Sequence, residues 1–324
     1  MAKLKDIYIG FDLGGTKMMA VVYDQKFKLL GKKRKKTKGN EGAQAGVQRI
    51  ISTLNEALAD AKITPDQLKG IGCGIPAPLD LEKGIILEAP NLGWKNVRLK
   101  QMLSDEYHCP VTLLNDVDAG TFGEYRFGAG RGGRCVLGIF PGTGIGGGCV
   151  YHGQLIEGGN NSCMEIGHLN MDRNGRLCGC GKRGCLETSA SRLAIAAEAA
   201  AAAYRGEAPI LLELAGTDLA QIRSGVLAEA IARGDKVVEA IVRNAASRIG
   251  LAIGNVANLL APDIAVLGGG MVEAMSSLFL EEVSKAIGQS AMKPFAKDLT
   301  VKVAELGDFA GAMGAAASIA DLTQ

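Results

Sequence analysis

Twice along the chain an apolar strand runs through a short turn of glycine and threonine straight into a second apolar strand. The first case is IYIGF, DLGGTK and MAVVYD near the start; the second is RCVLGIF, PGTG and IGGGCVY from residue 134. So short a connection joins only antiparallel neighbours, and each motif is read as a hairpin. A further strand at about 27–33 would complete a meander in the first half. A helix over 43–60, with Ala45, Ile50, Ile51, Leu54 and Leu58 on one side, leads to the strand-like LKGIGCGIP at 68–76. Strand, helix and strand follow at 84–87, 98–107 and 111–114. The second half continues with alanine-rich helices over 189–204 and 217–232, PILLELAG being a helical turn between them. A helix from Asp235 to about Leu260 then sets Val237, Ile241, Ala245, Ile249, Ala252, Val256 and Leu259 along one stripe. Its Gly250 and Gly254 predict close packing against another backbone. APDIAVLGGGMVE reads as strand, glycine turn and helix, and the last strand, 300–305, and helix, 308–320, are expected to return to the first domain. Both halves are α/β in character. The expected division is 1–117, completed by 305–324, and a larger domain over 118–304.

With 47% hydrophobic and 22% charged residues and 45 glycines, the composition fits a soluble globular protein with many tight turns. The 36 basic and 34 acidic residues nearly balance, for a formal net charge of +2. The one basic run, GKKRKKTKG at 31–39, reads as a solvated strand end or hairpin, with an anionic or nucleic-acid contact as the alternative. MAKLKDIYIGFD passes directly into a strand and leaves no apolar stretch for a signal peptide. Nor does any uncharged apolar run reach the roughly 18 residues that span a membrane. A cytoplasmic protein is therefore expected. Cys73, Cys109, Cys135, Cys149 and Cys163 stand singly in apolar contexts, the habit of buried reduced thiols.

The turn DLGGTK surrounds a would-be phosphate with unobstructed backbone N–H groups at Gly14 and Gly15, adds donors at Thr16 and Lys17, and lets Asp12 hold magnesium through water. GTGIGGG at 142–148 repeats the chemistry at Thr143 and Gly144, and LGGG at 267–270 brings Gly269 and Gly270 to a helix start that favours anions. One glycine turn is ordinary in any sheet; three favour a nucleotide. None matches a P-loop, and the strand-turn-strand setting argues against a dinucleotide fold. Asp116, in NDVDAG at the carboxyl end of an apolar strand, is either a helix N-cap or the carboxylate that accepts an alcohol proton during phosphoryl transfer.

His168, Cys178, Cys180 and Cys185 follow the spacing H-x9-C-x-C-x4-C, the ligand set of a closed tetrahedral zinc site; a metal-free group of buried thiols is the alternative. Such a metal folds a loop and leaves no open position for water. Glu165 and Glu187 lie just outside its two ends, so the metal is expected to fix a polyhydroxyl-binding wall.

At this point the chain resembles the ROK family of sugar kinases, bacterial glucokinases above all, over nearly its full length. The resemblance rests on DLGGTK, GIPAP at 74–78, NLGW at 91–94, LNDVDAG, GTGIGGG, EIGH at 165–168 and CGCGKRGCLE at 178–187, in that order. It implies a two-lobed actin-like ATPase fold with duplicated ribonuclease-H-like domains and ATP with Mg2+ in the cleft. It further implies Asp116 as general base, Asn91, Asn115, Asp116, Glu165, His168 and Glu187 around the sugar, and one structural Zn2+ on the His168 and cysteine set. Homodimers or homotetramers, without nucleic acid or membrane, follow from the same resemblance. Asp118 stands where the family usually has asparagine, and Met164 follows NNSC where small residues are usual; both bear on the choice of sugar. The expected reaction is transfer of the γ-phosphoryl group to O6 of glucose. N-acetylmannosamine, N-acetylglucosamine, fructose and allose stand as alternatives, and ADP or polyphosphate as another donor is left open. A sugar sensor is the rival of a different class, although Asp12 leaves no room for a winged-helix domain ahead of it.

Overall fold

The computed structural model describes residues 6–159 and 163–323. It divides into two compact units, Met1–Arg131 with Gln154–Cys163 and Leu306–Gln324, and Gly132–Gly153 with Met164–Glu305. The first unit is built on β1 (Ile7–Leu13), β2 (Lys17–Tyr23), β3 (Leu29–Lys36), α1 (Ala43–Ala61) and β4 (Leu68–Ile75). A small antiparallel sheet of β5 (Leu79–Asp80), β6 (Ile85–Ala89) and β7 (Trp94–Val97) follows, then α2 (Leu99–Tyr107), β8 (Val111–Asn115) and α3 (Asp116–Phe127). The main sheet runs β3-β2-β1-β4-β8, with β1, β4 and β8 parallel and the hairpin antiparallel.

The second unit opens on β9 (Cys135–Pro141) and β10 (Ile145–Tyr151), an antiparallel pair. After β11 (Gln154–Leu155), which packs with the first unit, come α4 (Glu187–Ala190), α5 (Arg192–Tyr204), α6 (Pro209–Ala215), α7 (Ser224–Ala232) and α8 (Lys236–Leu260). Then follow β12 (Ile264–Leu267), α9 (Gly270–Ala274), α10 (Ser276–Ser290), α11 (Lys293–Asp298) and β13 (Thr300–Val303). Within this unit the strands lie in the order β10-β9-β12-β13, with β9, β12 and β13 parallel. That repeats β2-β1-β4-β8, so the two hairpins do open two sheets of one plan. The strand expected to rejoin the first domain instead pairs with β12, because α10 and α11 carry the chain over as a crossover that ends at a parallel edge.

The last helix, α12 (Ala310–Leu322), belongs to the first unit. One face of the first sheet buries Phe11, Leu13 and Ile71 against Ile50 and Leu54 of α1; the other buries Tyr8, Met19 and Val21 against Ala312, Ala316 and Ile319 of α12. A Cβ at Gly10 would lie 1.7 Å from the Ala312 carbonyl oxygen, and one at Gly72 1.8 Å from that of Ala315. Helix backbone thus rests directly on strand backbone, and Ala312 and Ala315 of α12 are used here inside one unit. Helix α8 buries Val238 and Val242 where Val237 and Ile241 were expected, and leaves Leu259 81% exposed. Its glycines do meet another backbone, a Cβ at Gly250 falling 2.5 Å from the Val283 oxygen of α10.

The basic run forms β3, at the edge of the sheet. Lys33 and Lys35 reach Glu56, Arg34 reaches Asp308 at 2.7 Å, and Lys32 lies 5.1 Å over the Phe309 ring. Charged side chains on an edge strand deter pairing with another chain, which accounts for them without an anionic partner. Among the described residues no helix is long and apolar enough to cross a membrane.

Glu124, fully buried near the end of α3, accepts the Ala129 N–H at 2.9 Å and the Leu306 N–H at 2.8 Å. These donors lie just before the chain leaves the first unit and just where it returns. Glu124→Ala would strand both, at about 1–3 kcal/mol each. A fall of roughly that sum in unfolding free energy, read from the urea midpoint, is expected, with Glu124→Gln intermediate because one acceptor oxygen survives.

Candidate active site

The first glycine turn joins β1 to β2 and is braced from one side. Gly14 N–H donates to the Lys17 oxygen at 2.9 Å, Thr37 N–H to the Thr16 oxygen at 2.9 Å, and Thr37 Oγ1 to the Gly14 oxygen at 2.6 Å. On the other side Gly15, Thr16 and Lys17 are exposed, and a Cβ at Gly15 would meet nothing within 4 Å. The turn is rigid yet open, as a phosphate cradle must be.

At the carboxyl ends of three adjacent parallel strands lie Asp12 on β1, Gly74 on β4 and Asn115 on β8, with Asp12 in register with Gly74 and Asn115 with Ile75. Open α/β sheets bind ligands at such ends. Asn115 settles which residue caps α3: its Oδ1 accepts the Val117 N–H at 2.8 Å and the Asp118 N–H at 3.4 Å. The N-cap reading of Asp116 therefore falls. Asp116 is the first helical residue, its Oδ1 accepting the same Val117 N–H at 3.0 Å, and its charge is felt by Asp12. Asn91 lies in the turn between β6 and β7, followed by Gly93 at φ 65 and the buried Trp94; its side chain is outside those described.

Burial, helped by the negative charges of Asp116 and Asp308 and opposed by Arg34, pushes the Asp12 carboxyl from 3.8 up to about 7. Below about pH 4 the group is neutral in folded and unfolded chains alike. As pH rises from there to about 7, the unfolded chain ionises it and the folded chain does not, so stability falls; above 7 the loss is complete. Asp12→Asn escapes this penalty. Its melting temperature should match that of the unchanged protein in acid, pull ahead between about pH 4 and 7, and hold a constant lead above that. A lead that is independent of pH would refute the burial of this charge.

In the second unit the β9–β10 turn closes with Gly142 N–H donating to the Gly144 oxygen at 2.8 Å. Arg192, the first residue of α5, donates its backbone N–H to the Gly142 oxygen at 2.9 Å and Nη2 to Thr143 Oγ1 at 3.3 Å. Sequence reasoning missed Arg192. Its only signal is Ser191, whose hydroxyl caps α5 by accepting the Ala194 N–H. The third glycine turn lies beside the second: Gly268 N–H donates to the Ile139 oxygen at 3.0 Å, and Gly269, at φ 87, would place a Cβ 3.2 Å from the Pro141 oxygen. Gly269 and Gly270 open α9.

His168, Cys178, Cys180 and Cys185 place one ligand atom each within 4.8 Å of one another. The Cys180 and Cys185 sulfurs are 3.7 Å apart, and Cys178 Sγ is 3.7 Å from His168 Nδ1. Tetrahedral zinc with Zn–S near 2.3 Å demands ligand–ligand edges of about 3.7 Å, so the donor set fits that ion. The loop is held by antiparallel bridges between Asn170 and Cys185 and between Leu177 and Arg183. It also needs glycine at 184, where φ is 74 and a Cβ would fall 1.6 Å from the Asp172 oxygen.

Glu187 begins α4 with Oε1 at 2.9 Å from Cys178 Sγ and 3.7 Å from His168 Nδ1. Its Oε2 lies 2.6 Å from where a Cβ of Gly144 would stand. One carboxylate thus lies against both the cysteine loop and the second glycine turn. Glu165 is exposed beside the tight turn Ile166–His168, and its carbonyl accepts the His168 N–H at 2.9 Å. Met164, at φ 56, gives its carbonyl to the Ile166 N–H at 2.6 Å; residues 160–162 just before it are outside those described.

The model of the ROK family matches residues 8–321. A glucokinase of Thermotoga maritima is 33% identical over 320 residues, covering 98% of both chains. The crystal structure of a ROK family glucokinase from Streptomyces griseus in complex with glucose and AMPPNP superposes with a TM-score of 0.83 at 31% identity, over 96% of this chain and 98% of that one. A putative xylose repressor of a Caldicellulosiruptor species is 29% identical over 97% of this chain and 78% of its own length.

Proposed function

This chain belongs to the ROK family, and from that premise we propose that it is an ATP-dependent glucokinase, forming glucose 6-phosphate. The observation that carries the reading is the release of Asp116 from capping by Asn115, which sets a carboxylate beside Asp12 at the carboxyl ends of three parallel strands. Asp116 accepts the proton of the glucose 6-hydroxyl as that oxygen bonds to the γ-phosphorus; the bond to the β–γ bridging oxygen breaks, and ADP leaves with its electron pair. Asn91, Asn115, Glu165, His168 and Glu187 bind the sugar hydroxyls. The turns at Gly14, Gly15, Thr16 and Lys17, at Thr143 and Gly144, and at Gly269 and Gly270 bind the nucleotide. Mg2+, held near Asp12 through water, would neutralise phosphate charge. Zn2+ on His168, Cys178, Cys180 and Cys185 would order the loop that carries Glu187, leaving His168 Nε2 for a hydroxyl. The protein works as a homo-oligomer on this reading.

The match to a repressor supports a second reading, a sugar-responsive regulator without catalysis. An ATP-consumption screen against hexoses and N-acetylhexosamines, with the phosphate then located on the product, separates the two. Glucose is expected to give the highest kcat/KM, with phosphate on O6. Sugar binding with no phosphorylated product from any of them would favour the regulator.

A further inference from the structure

Wholly within the second unit, on the metal loop, lies a cavity of about 400 Å3 in which every lining side chain is polar. Asp172 and Arg176 of the loop, Ser189 of α4, Glu198 of α5, and Asn244 and Arg248 of α8 form its wall. Arg248 decides what the cavity is for. It is half-buried, yet among the described residues its side chain has neither hydrogen bond nor ion pair, whereas Arg243 on the same helix holds Glu239, Glu281 and Glu282. Arg176 is barely engaged, 3.4 Å from both Glu198 and the Thr188 oxygen. A half-buried guanidinium without a partner has lost hydration and gained nothing in return, and its planar fork matches a phosphate or carboxylate.

The rest of the wall narrows the choice. Asp172 and Glu198 repel a bare anion but accept hydroxyl protons, while Ser189 and Asn244 can both donate and accept. No apolar side chain is present to take an aliphatic or aromatic group. We propose that this cavity is a second ligand site for a small phosphorylated polyol of the sugar-phosphate class, its phosphate on Arg248 and Arg176 and its hydroxyls on the acidic and amide groups. Gly184, beside Cys185, and Thr188 and Ser189, beside Glu187, also line the cavity, so occupancy bears on the loop that presents Glu187. This modulation rests on the kinase reading given above; the binding itself does not.

The test is equilibrium binding of glucose 6-phosphate and, separately, of inorganic phosphate, to the full chain and to Arg248→Gln and Asn244→Asp. Arg248→Gln removes the fork. Asn244→Asp, at an exposed position four residues before Arg248, supplies it with an intramolecular partner and tolerates folding well. The unchanged protein should bind glucose 6-phosphate at two sites per chain. Both variants should weaken one of them by about 10- to 100-fold, the size of a lost charged hydrogen bond, with kcat and glucose KM unaltered when product is absent. Identical isotherms in the unchanged protein and both variants would overturn the site, and inorganic phosphate binding as tightly as glucose 6-phosphate would overturn the sugar-phosphate class. If no sugar is phosphorylated yet Arg248-dependent binding persists, the kinase reading fails and the site stands.

Discussion

Asp116→Asn is expected to lower kcat by about 10²- to 10⁴-fold, the usual worth of a general base, while the dissociation constant of glucose shifts only a few-fold. Asparagine keeps the size of the side chain and can still accept the Val117 N–H that Asp116 takes at 3.0 Å, so the start of α3 is preserved. The cap itself belongs to Asn115, which makes this substitution a test of chemistry instead of folding. The same substitution removes a negative charge that pushes the Asp12 carboxyl upward, so Asp12 should ionise at lower pH in the variant. Steady-state rates at saturating ATP, with glucose affinity measured by calorimetry without nucleotide, separate turnover from binding. Near-normal turnover would move the proton acceptor elsewhere, and Asp118, in the same first turn, would be the residue to replace next.

What could be read from the sequence was local. The hairpin strands could be placed because a turn of a few glycines joins only adjacent antiparallel strands, and β10 was placed over 145–151, as found. The convergence of His168 with Cys178, Cys180 and Cys185 was legible because spacing along a short loop limits which side chains can meet. Features set by one element meeting another were not. APDIAVLGGGMVE shows where one helix starts but does not separate α9, α10 and α11, and the buried face of α8 lies one residue from the expected one at its start because that face is chosen by its neighbours. The small residues of α12 look alike whether a helix packs on its own sheet or on a second copy, and only the approach of Ala312 and Ala315 to Gly10 and Gly72 tells which. The contact of Glu187 with Gly144 is of the same kind: both residues stood out, but no periodicity links them.

That contact alters what removal of the metal should do. Cys180→Ser, or stripping with a chelator, is expected to leave little or no zinc and to loosen the loop over 168–187, since a structural site contributes folding free energy directly. Glucose affinity should weaken by roughly 10- to 100-fold, the range seen when groups that orient a site are lost. His168→Ala should do more harm, because it removes a ligand and a proposed sugar contact together. Nucleotide affinity should also fall, by a smaller factor, since Glu187 released from Cys178 and His168 no longer packs over the Gly144 turn. The first glycine turn is held by Thr37 and Lys17 and has no share in this, so binding through Gly14, Gly15 and Thr16 should survive. Elemental analysis of protein purified without added metal, with calorimetric titration of glucose and of AMPPNP, reads each effect. Loss of sugar binding with nucleotide binding intact would show that Glu187 does not couple the loop to the turn, and a zinc-free protein that phosphorylates glucose normally would end the structural role altogether.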